Sequence, residues 1–228
     1  MKQDAEQIQA RMDVAAVLAR RAGETLMSTF GAIESLEMKG EVDLVSEADR
    51  ASERLLVEGL LAAFPEDAIL GEEGGVAGSP DGRFRWVLDP LDGTTNFVHG
   101  LPYFAVSMGL AVEEDPVAGV ILVPPTEELY VGVVGSGATR DGVPIAVNST
   151  AHLSDALVAT GFPYDRRERA ADLVSVVARA IERARAVRRC GAACLDLIGV
   201  ASGVFGGFWE EGLAPWDLAA GVAIVRAA

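Results

Sequence analysis

The sequence predicts a layered α/β (α+β) fold, and three observations carry that expectation. Two amphipathic helical patterns open the chain. A run of short apolar segments follows, separated by Gly, Pro and acidic turns, and beyond about residue 150 helix and strand patterns alternate. A length of 228 residues allows one large domain or two small ones. We expect a seam near residue 150, between an N-terminal α+β part, 1–150, that carries the main acidic motifs and a C-terminal α/β part, 151–228.

From Asp4 to Phe30 the apolar residues Ile8, Met12, Ala15, Ala19, Ala22, Leu26 and Phe30 recur at intervals of three and four, and Gly31 ends the pattern. Ser46-Glu47-Ala48-Asp49 has the form of a capping box and predicts a second helix through Leu55, Leu56 and Leu60 to Phe64, stopped by Pro65. The intervening Met38-Lys-Gly-Glu-Val-Asp-Leu-Val45 reads as strand or loop. Strands are expected at Ala68–Leu70, Phe84–Leu88, Phe104–Val112, Val117–Val123 and Leu129–Val134. Asp141-Gly142, between Arg140 and Val143, suits a type I′ hairpin turn. A strand at Leu157–Thr160, a helix from about Arg169 to Ala186, another beginning near Cys194 and a last one after Pro215 complete the pattern.

Thirty-four acidic residues against nineteen basic ones give a net charge of −15, which repels nucleic-acid backbones and anionic lipid and favours bound cations. No apolar run approaches the roughly 18 residues of a membrane-spanning helix, and the polar start lacks the features of a secretory signal. The expectation is a cytoplasmic protein. Cys190 and Cys194, four apart, are expected on one helical face as small buried residues, with no disulfide framework. Neither His99 nor His152 stands at a zinc-ligand spacing.

Three acidic clusters follow apolar runs, where strands deliver side chains to a sheet edge: Gly71-Glu72-Glu73-Gly74-Gly75, Asp89-Pro90-Leu91-Asp92-Gly93-Thr94-Thr95-Asn96, and Trp209-Glu210-Glu211 with Pro215-Trp216-Asp217. Taken alone, Glu72 and Glu73 fit a solvated loop equally well. In the second cluster Pro90 is expected to force the chain out of the sheet, so that Asp89 and Asp92 converge on one side of a turn. Two close carboxylates repel unless a cation or proton sits between them, and Mg²⁺ prefers such oxygen ligands. Gly93-Thr94-Thr95 supplies backbone N–H groups for a phosphate. A cation seat beside an anion seat points to metal-assisted phosphoryl chemistry; the plainer alternative is an Asp-Gly turn with capping threonines. The Asp-x-Asp nucleophile of haloacid-dehalogenase phosphatases is excluded, because these aspartates are three apart. A calcium loop of EF-hand type is excluded by the preceding strand and by Pro90.

These motifs, with Trp86-Val-Leu-Asp-Pro-Leu-Asp-Gly-Thr-Thr-Asn-Phe-Val-His-Gly-Leu-Pro102 and Trp216-Asp-Leu-Ala-Ala-Gly221, resemble the inositol monophosphatase family of Mg²⁺-dependent, lithium-sensitive sugar phosphatases. Weaker agreement runs from Asp13 through Lys39-Gly40 and Val42–Val45 to Asp49, and from Gly137 to Val147. The resemblance implies the five-layer αβαβα sandwich of that family and two or three Mg²⁺ per active site. It makes Glu72, Asp89 and the Leu91 carbonyl ligands of one ion, and Asp89, Asp92 and Asp217 ligands of a second. Thr94 and Glu72 would orient the water that attacks phosphorus, and the Gly93 and Thr94 N–H groups would hold phosphate oxygens. Glu210 and the backbone around Ala193 would contact the substrate's ring hydroxyls, and Asp92 would also bind substrate.

Lys39, Asp43 and Asp49 are expected near the metals, and His99 as a packed or capping residue. Inositol 1-phosphate is the expected substrate of a cytoplasmic homodimer that binds neither nucleic acid directly nor membrane. Histidinol phosphate, fructose 1,6-bisphosphate and 3′-phosphoadenosine phosphates are alternatives, as is a non-catalytic regulatory protein. The sequence closes at Ile224-Val-Arg-Ala-Ala228, where the resemblance implies further strands and a closing helix, so the C-terminal sheet is expected to be shortened, either because the sequence is a piece of a longer one or with a partner covering its edge.

Overall fold

The computed structural model describes residues 2–31 and 41–228. Helices α1 (Lys2–Met27) and α2 (Glu41–Ala63) pack together on one face of an eight-stranded sheet, of order β2-β1-β3-β4-β5-β6-β7-β8. Its strands are β1 (Ala68–Gly71), β2 (Gly75–Gly78), β3 (Phe84–Asp92), β4 (Ala105–Val112), β5 (Asp115–Val123), β6 (Glu128–Val133), β7 (Gly137–Arg140) and β8 (Val143–Ile145). A short helix, α3 (Thr94–Val98), links β3 to β4. The second sheet has order β10-β9-β11, from β9 (Leu157–Thr160), β10 (Ala186–Arg188) and β11 (Gly207–Trp209). Helices α5 (Ala193–Ala201) and α6 (Pro215–Ala227) pack on each other, α6 against the large sheet and α5 against β11, while α4 (Ala170–Arg183) lies on β10. The five layers are therefore αβαβα.

Most elements fall where the pattern predicts, and the departures have local causes. Helix α2 begins at Glu41, more than a turn ahead of the Ser46 capping box. No Gly or Pro after Gly40 stops the helix, so it extends ahead of the cap signal. Residues 41–45 are thus helical rather than strand or loop; residues 38–40, with Lys39, lie outside the described residues. Pro90 does not expel the chain from the sheet, because β3 continues to Asp92. By that point β1 has stopped pairing, and the register with β4 shifts between Asp89 and Asp92, an irregularity where a missing N–H costs no ladder bond. Cys190 and Cys194 share no helical face: Cys190 precedes α5 and Cys194 lies inside it, separated by Gly191 at φ 93°. Both thiols are free. The Asp141-Gly142 turn has φ of 50° and 77°, as type I′ requires.

The alternation in β4 and β5 sorts residues by size. Val106, Met108 and Leu110 with Ala118, Val120 and Leu122 join the core under α1 and α2. The opposite face carries Ala105, Ser107, Gly109 and Gly119, with Gly109, Gly119 and Gly132 paired in a row across β4, β5 and β6. Helix α6 lies directly on this row. A Cβ on Gly109 would stand 2.5 Å from the Ala219 Cβ, and one on Gly119 would stand 2.6 Å from the Ala220 carbonyl oxygen. Backbone approach this close is what lets α6 bring its first turn to the end of β3.

Arg11 ties α1 to the start of β1. Its buried guanidinium donates to both Asp67 oxygens, at 2.9 and 2.6 Å, and lies 3.8 Å from the Phe84 ring centroid. The Trp86 indole N–H, from β3, donates to the same carboxylate at 2.9 Å.

Gly109→Ala is expected to destabilise the protein by roughly 1–3 kcal/mol, because the backbone contact leaves no room for a methyl group. Urea unfolding measures it, and an unchanged midpoint would show that α6 can shift without cost.

Candidate active site

The end of β3 gathers the site. Glu72 follows β1 directly, and its N–H donates to the Leu88 carbonyl at 3.2 Å. Asp89, Leu91 and Asp92 occupy the last turn-and-bulge of β3; Gly93, at φ 92°, bends the chain into α3. Phe97 of α3 packs edge-on against Phe104 at 4.9 Å. Asn96 donates to the carbonyls of Tyr103 at 2.8 Å and Cys190 at 3.0 Å, tying α3 to the segment before α5.

From the other sheet, α5 begins at Ala193, β11 runs into Glu210, and Asp217 stands in the first turn of α6. All nine predicted site residues, Glu72, Asp89, Leu91, Asp92, Gly93, Thr94, Ala193, Glu210 and Asp217, line one pocket of about 500 Å³.

Each carboxylate is held by specific contacts. Asp89 Oδ1 accepts from the Leu91 N–H at 3.0 Å. Asp92 caps α5, its two oxygens accepting from the N–H groups of Ala193 at 3.2 Å and Cys194 at 2.7 Å. Asp217 accepts from the Ala214 N–H at 2.6 Å. The Thr94 hydroxyl donates to the Leu91 carbonyl at 3.1 Å. Glu210 lies against Gly161, where a Cβ would overlap its carboxylate. His99 is the exposed C-cap of α3, as one of its two expected roles required.

This concentration of acid shifts proton affinities. Asp89 and Asp92 are 2% and 8% exposed. Burial, then the charges of Asp92, Glu72 and Asp217, push Asp89 well above the usual carboxylate range. Burial pushes Asp92 up to about 7, although the α5 N–H groups pull it down. Glu72 and Asp217 are raised, chiefly by burial, and the Glu72 and Asp89 carboxyl groups are within hydrogen-bonding reach of each other.

Four such groups cannot all ionise together unless cations or protons compensate them. Among the described residues, Asp89, Asp92 and Cys194 place one ligand atom each within 4.8 Å of one another, enough to hold a metal ion. The carboxylates and the Leu91 carbonyl make an oxygen-rich set that fits a hard divalent cation. Asp49, on α2, also faces this region: one of its oxygens is buried without a hydrogen bond, and burial followed by the charges of Glu73 and Glu72 raises it to about 8.

Two contributors are absent from the sequence reading. Ser52 and Glu53 join Asp49 as a buried polar stripe on α2. The Ser52 hydroxyl donates to the Pro90 carbonyl at 3.3 Å. Glu53 accepts from the N–H groups of Glu73 at 3.0 Å and Gly74 at 2.5 Å, clamping the loop that carries Glu72. Gly71 and Gly74 leave space for that carboxylate, since a Cβ at either would approach it to 2.5 or 2.7 Å. The spacing of 49, 52 and 53 was the available signal, but polar residues on a helix ordinarily mark its solvent face. Phe162, Tyr164, Arg166 and Arg189, also unforeseen, line the pocket's outer side.

A layered αβαβα body with an acidic pocket where its two sheets meet defines a class, and comparison with known proteins narrows it. The profile of the inositol monophosphatase family matches residues 8–228. The chain belongs to that family and is a phosphoric monoester hydrolase. An inositol-1-monophosphatase of Synechocystis is 40% identical over 222 residues, covering 97% of this chain and 77% of the relative. A Nus factor SuhB of Pseudomonas aeruginosa is 38% identical, covering 97% of this chain and 84% of its own. The solved inositol monophosphatase of Anabaena superposes with a TM-score of 0.87 at 40% identity, covering 97% and 82% of the two chains. No described helix is long and apolar enough to cross a membrane.

Glu53→Gln retains the shape of the clamp but turns an N–H₂ toward one of its two N–H donors. Phosphate-release kinetics should show kcat reduced by about tenfold or more, from displacement of Glu72, with KM little changed. A variant with wild-type kcat would separate Glu72 from the clamp.

Proposed function

We propose that this protein is a Mg²⁺-dependent phosphomonoesterase of the cytoplasm, acting as a homodimer on inositol 1-phosphate. The observation that carries the reading is the convergence of Glu72, Asp89, Asp92 and Asp217 on one pocket beside the Gly93-Thr94 turn. Glu72, Asp89 and the Leu91 carbonyl hold one cation in this reading, and Asp89, Asp92 and Asp217 a second. Bound divalent cations neutralise the phosphate's charge, lower the pKa of water and stabilise a departing alkoxide.

The protein's own groups do the rest. With its proton given to the Leu91 carbonyl, the Thr94 hydroxyl offers lone pairs to a water's proton. Glu72 accepts a second hydrogen bond from that water and, lining the same pocket, is placed to take its proton as the bond to phosphorus forms. The Gly93 and Thr94 N–H groups, at a helix start without intrahelical acceptors, receive phosphate oxygens. Glu210 accepts from neighbouring hydroxyls of a polyol, with Asp92 and the Ala193 backbone beside it. In this reading residues 1–150 supply the principal ligands, while 151–228 supply Asp217 and the substrate contacts.

The relative named as a Nus factor supports a second reading, in which the protein acts through a partner and not by turnover. Phosphate release from inositol 1-phosphate, histidinol phosphate, fructose 1,6-bisphosphate and 3′-phosphoadenosine 5′-phosphate, with Mg²⁺, EDTA or Mg²⁺ plus Li⁺, tests both. The first reading expects Mg²⁺-dependent, Li⁺-inhibited release, fastest from inositol 1-phosphate. Asp89→Asn and Asp217→Asn should each reduce kcat by about 10³-fold or more while the protein stays folded. Absence of release from every substrate would favour the partner-binding reading.

A further inference from the structure

The donor group at the end of β3 contains one atom that phosphoryl chemistry with Mg²⁺ does not need, the Cys194 sulfur. It belongs to the same cluster as the Asp89 and Asp92 carboxylate oxygens, with all three ligand atoms mutually within 4.8 Å. Cys194 is fully buried, so its thiol meets the cluster rather than solvent. Its thiol donates to the Asp217 carbonyl at 3.4 Å and lies within hydrogen-bonding reach of the Asp92 carboxylate.

A second buried group stands beside it. Ser107 pairs with Asp89 across β3 and β4, and its hydroxyl is within hydrogen-bonding reach of the Cys194 thiol. It is 0% exposed, and its oxygen has no hydrogen-bond partner of good geometry. A buried hydroxyl without a well-aligned partner is unfavourable, and a cation among these donors would engage it. The cluster thus offers two carboxylates and one thiol, with a hydroxyl beside the thiol that lacks a well-aligned partner.

We propose that Asp89, Asp92 and Cys194 form a seat for a thiophilic divalent cation, Zn²⁺ or Cd²⁺, that overlaps the position of the hard cation used in the reaction. The inference rests on the reading of Asp89 and Asp92 as cation ligands and adds the sulfur to it. Thiolate sulfur selects borderline and soft ions, whereas carboxylate and carbonyl oxygens suit Mg²⁺. A hard ion is therefore held by oxygen alone, and a soft ion by oxygen and sulfur together. Asp89 and Asp92 line the pocket and Cys194 lies behind that lining, so the aspartates are the side of the seat open to an entering ion. As the metal–sulfur bond forms the thiol proton leaves to solvent, with no change of oxidation state. The consequence is an enzyme inhibited by Zn²⁺ or Cd²⁺ through displacement of Mg²⁺.

The test uses the full chain with Cys190→Ala, which leaves Cys194 as its one thiol, freed of metals and titrated with Cd²⁺ alone. Ultraviolet absorption should show a sulfur-to-cadmium charge-transfer band that saturates at one equivalent and is bleached by excess Mg²⁺. Adding Cys194→Ala should abolish the band and weaken Cd²⁺ binding, measured by calorimetry, by about tenfold or more, with a much smaller effect on Mg²⁺ binding. Cys194→Ser serves as the second variant if alanine at this position impairs folding, since it keeps a polar atom and removes only the sulfur. No band in the parent, or equal Cd²⁺ affinity with and without the thiol, would overturn the proposal. Failure of the catalytic reading looks different: no Mg²⁺-dependent phosphate release, whatever the Cd²⁺ band does.

Discussion

Mutual repulsion among buried carboxylates is the constraint on which the rest of this structure depends. Asp89 and Asp92 sit almost out of water on one strand end, with Glu72 and Asp217 brought against them from other elements. Apolar burial cannot offset such crowding by itself, since an uncompensated buried charge costs several kcal/mol. The protein therefore surrounds the group with partial compensation: two N–H groups of α5 on Asp92, the Leu91 N–H on Asp89 and the Ala214 N–H on Asp217. What these dipoles leave over is a negative pocket ready for cations.

Holding the group together is the work of packing far from it. The glycine row of β4, β5 and β6 seats α6 close to the sheet, and the seating fixes the first turn that carries Asp217. The register shift at Pro90 turns β3 so that two aspartates, three residues apart, both reach the pocket. Glu53 fixes the Glu72 loop from the opposite face of the sheet. Each device is small, and each acts on the backbone rather than on the carboxylates.

Much of this was legible in the sequence. The helices and longer strands announced themselves by period, and the three acidic motifs each followed an apolar run, so the residues they nominated share one pocket. Strands β2, β10 and β11 carried no usable signal: three or four residues are too few to establish alternation, and pairing with neighbours decides them. Glu53 was hidden because its acceptors are backbone N–H groups of another segment, invisible to side-chain pattern. Pro90 misled because a proline in a strand normally marks an exit, whereas here the neighbouring strand ends first. The proximity of Cys194 to the aspartates depends on Asp92 capping α5, a contact across 102 residues that spacing cannot reveal.

The central claim is that the acidic pocket is a cation seat, so stability should respond to divalent ions specifically. Thermal unfolding in MgCl₂ against NaCl of matched ionic strength tests it directly, because a ligand bound only by the folded state raises the melting temperature with its concentration. The account predicts a saturable rise with Mg²⁺ beyond the effect of NaCl. Coincident melting curves in the two salts, across the whole concentration range, would contradict it.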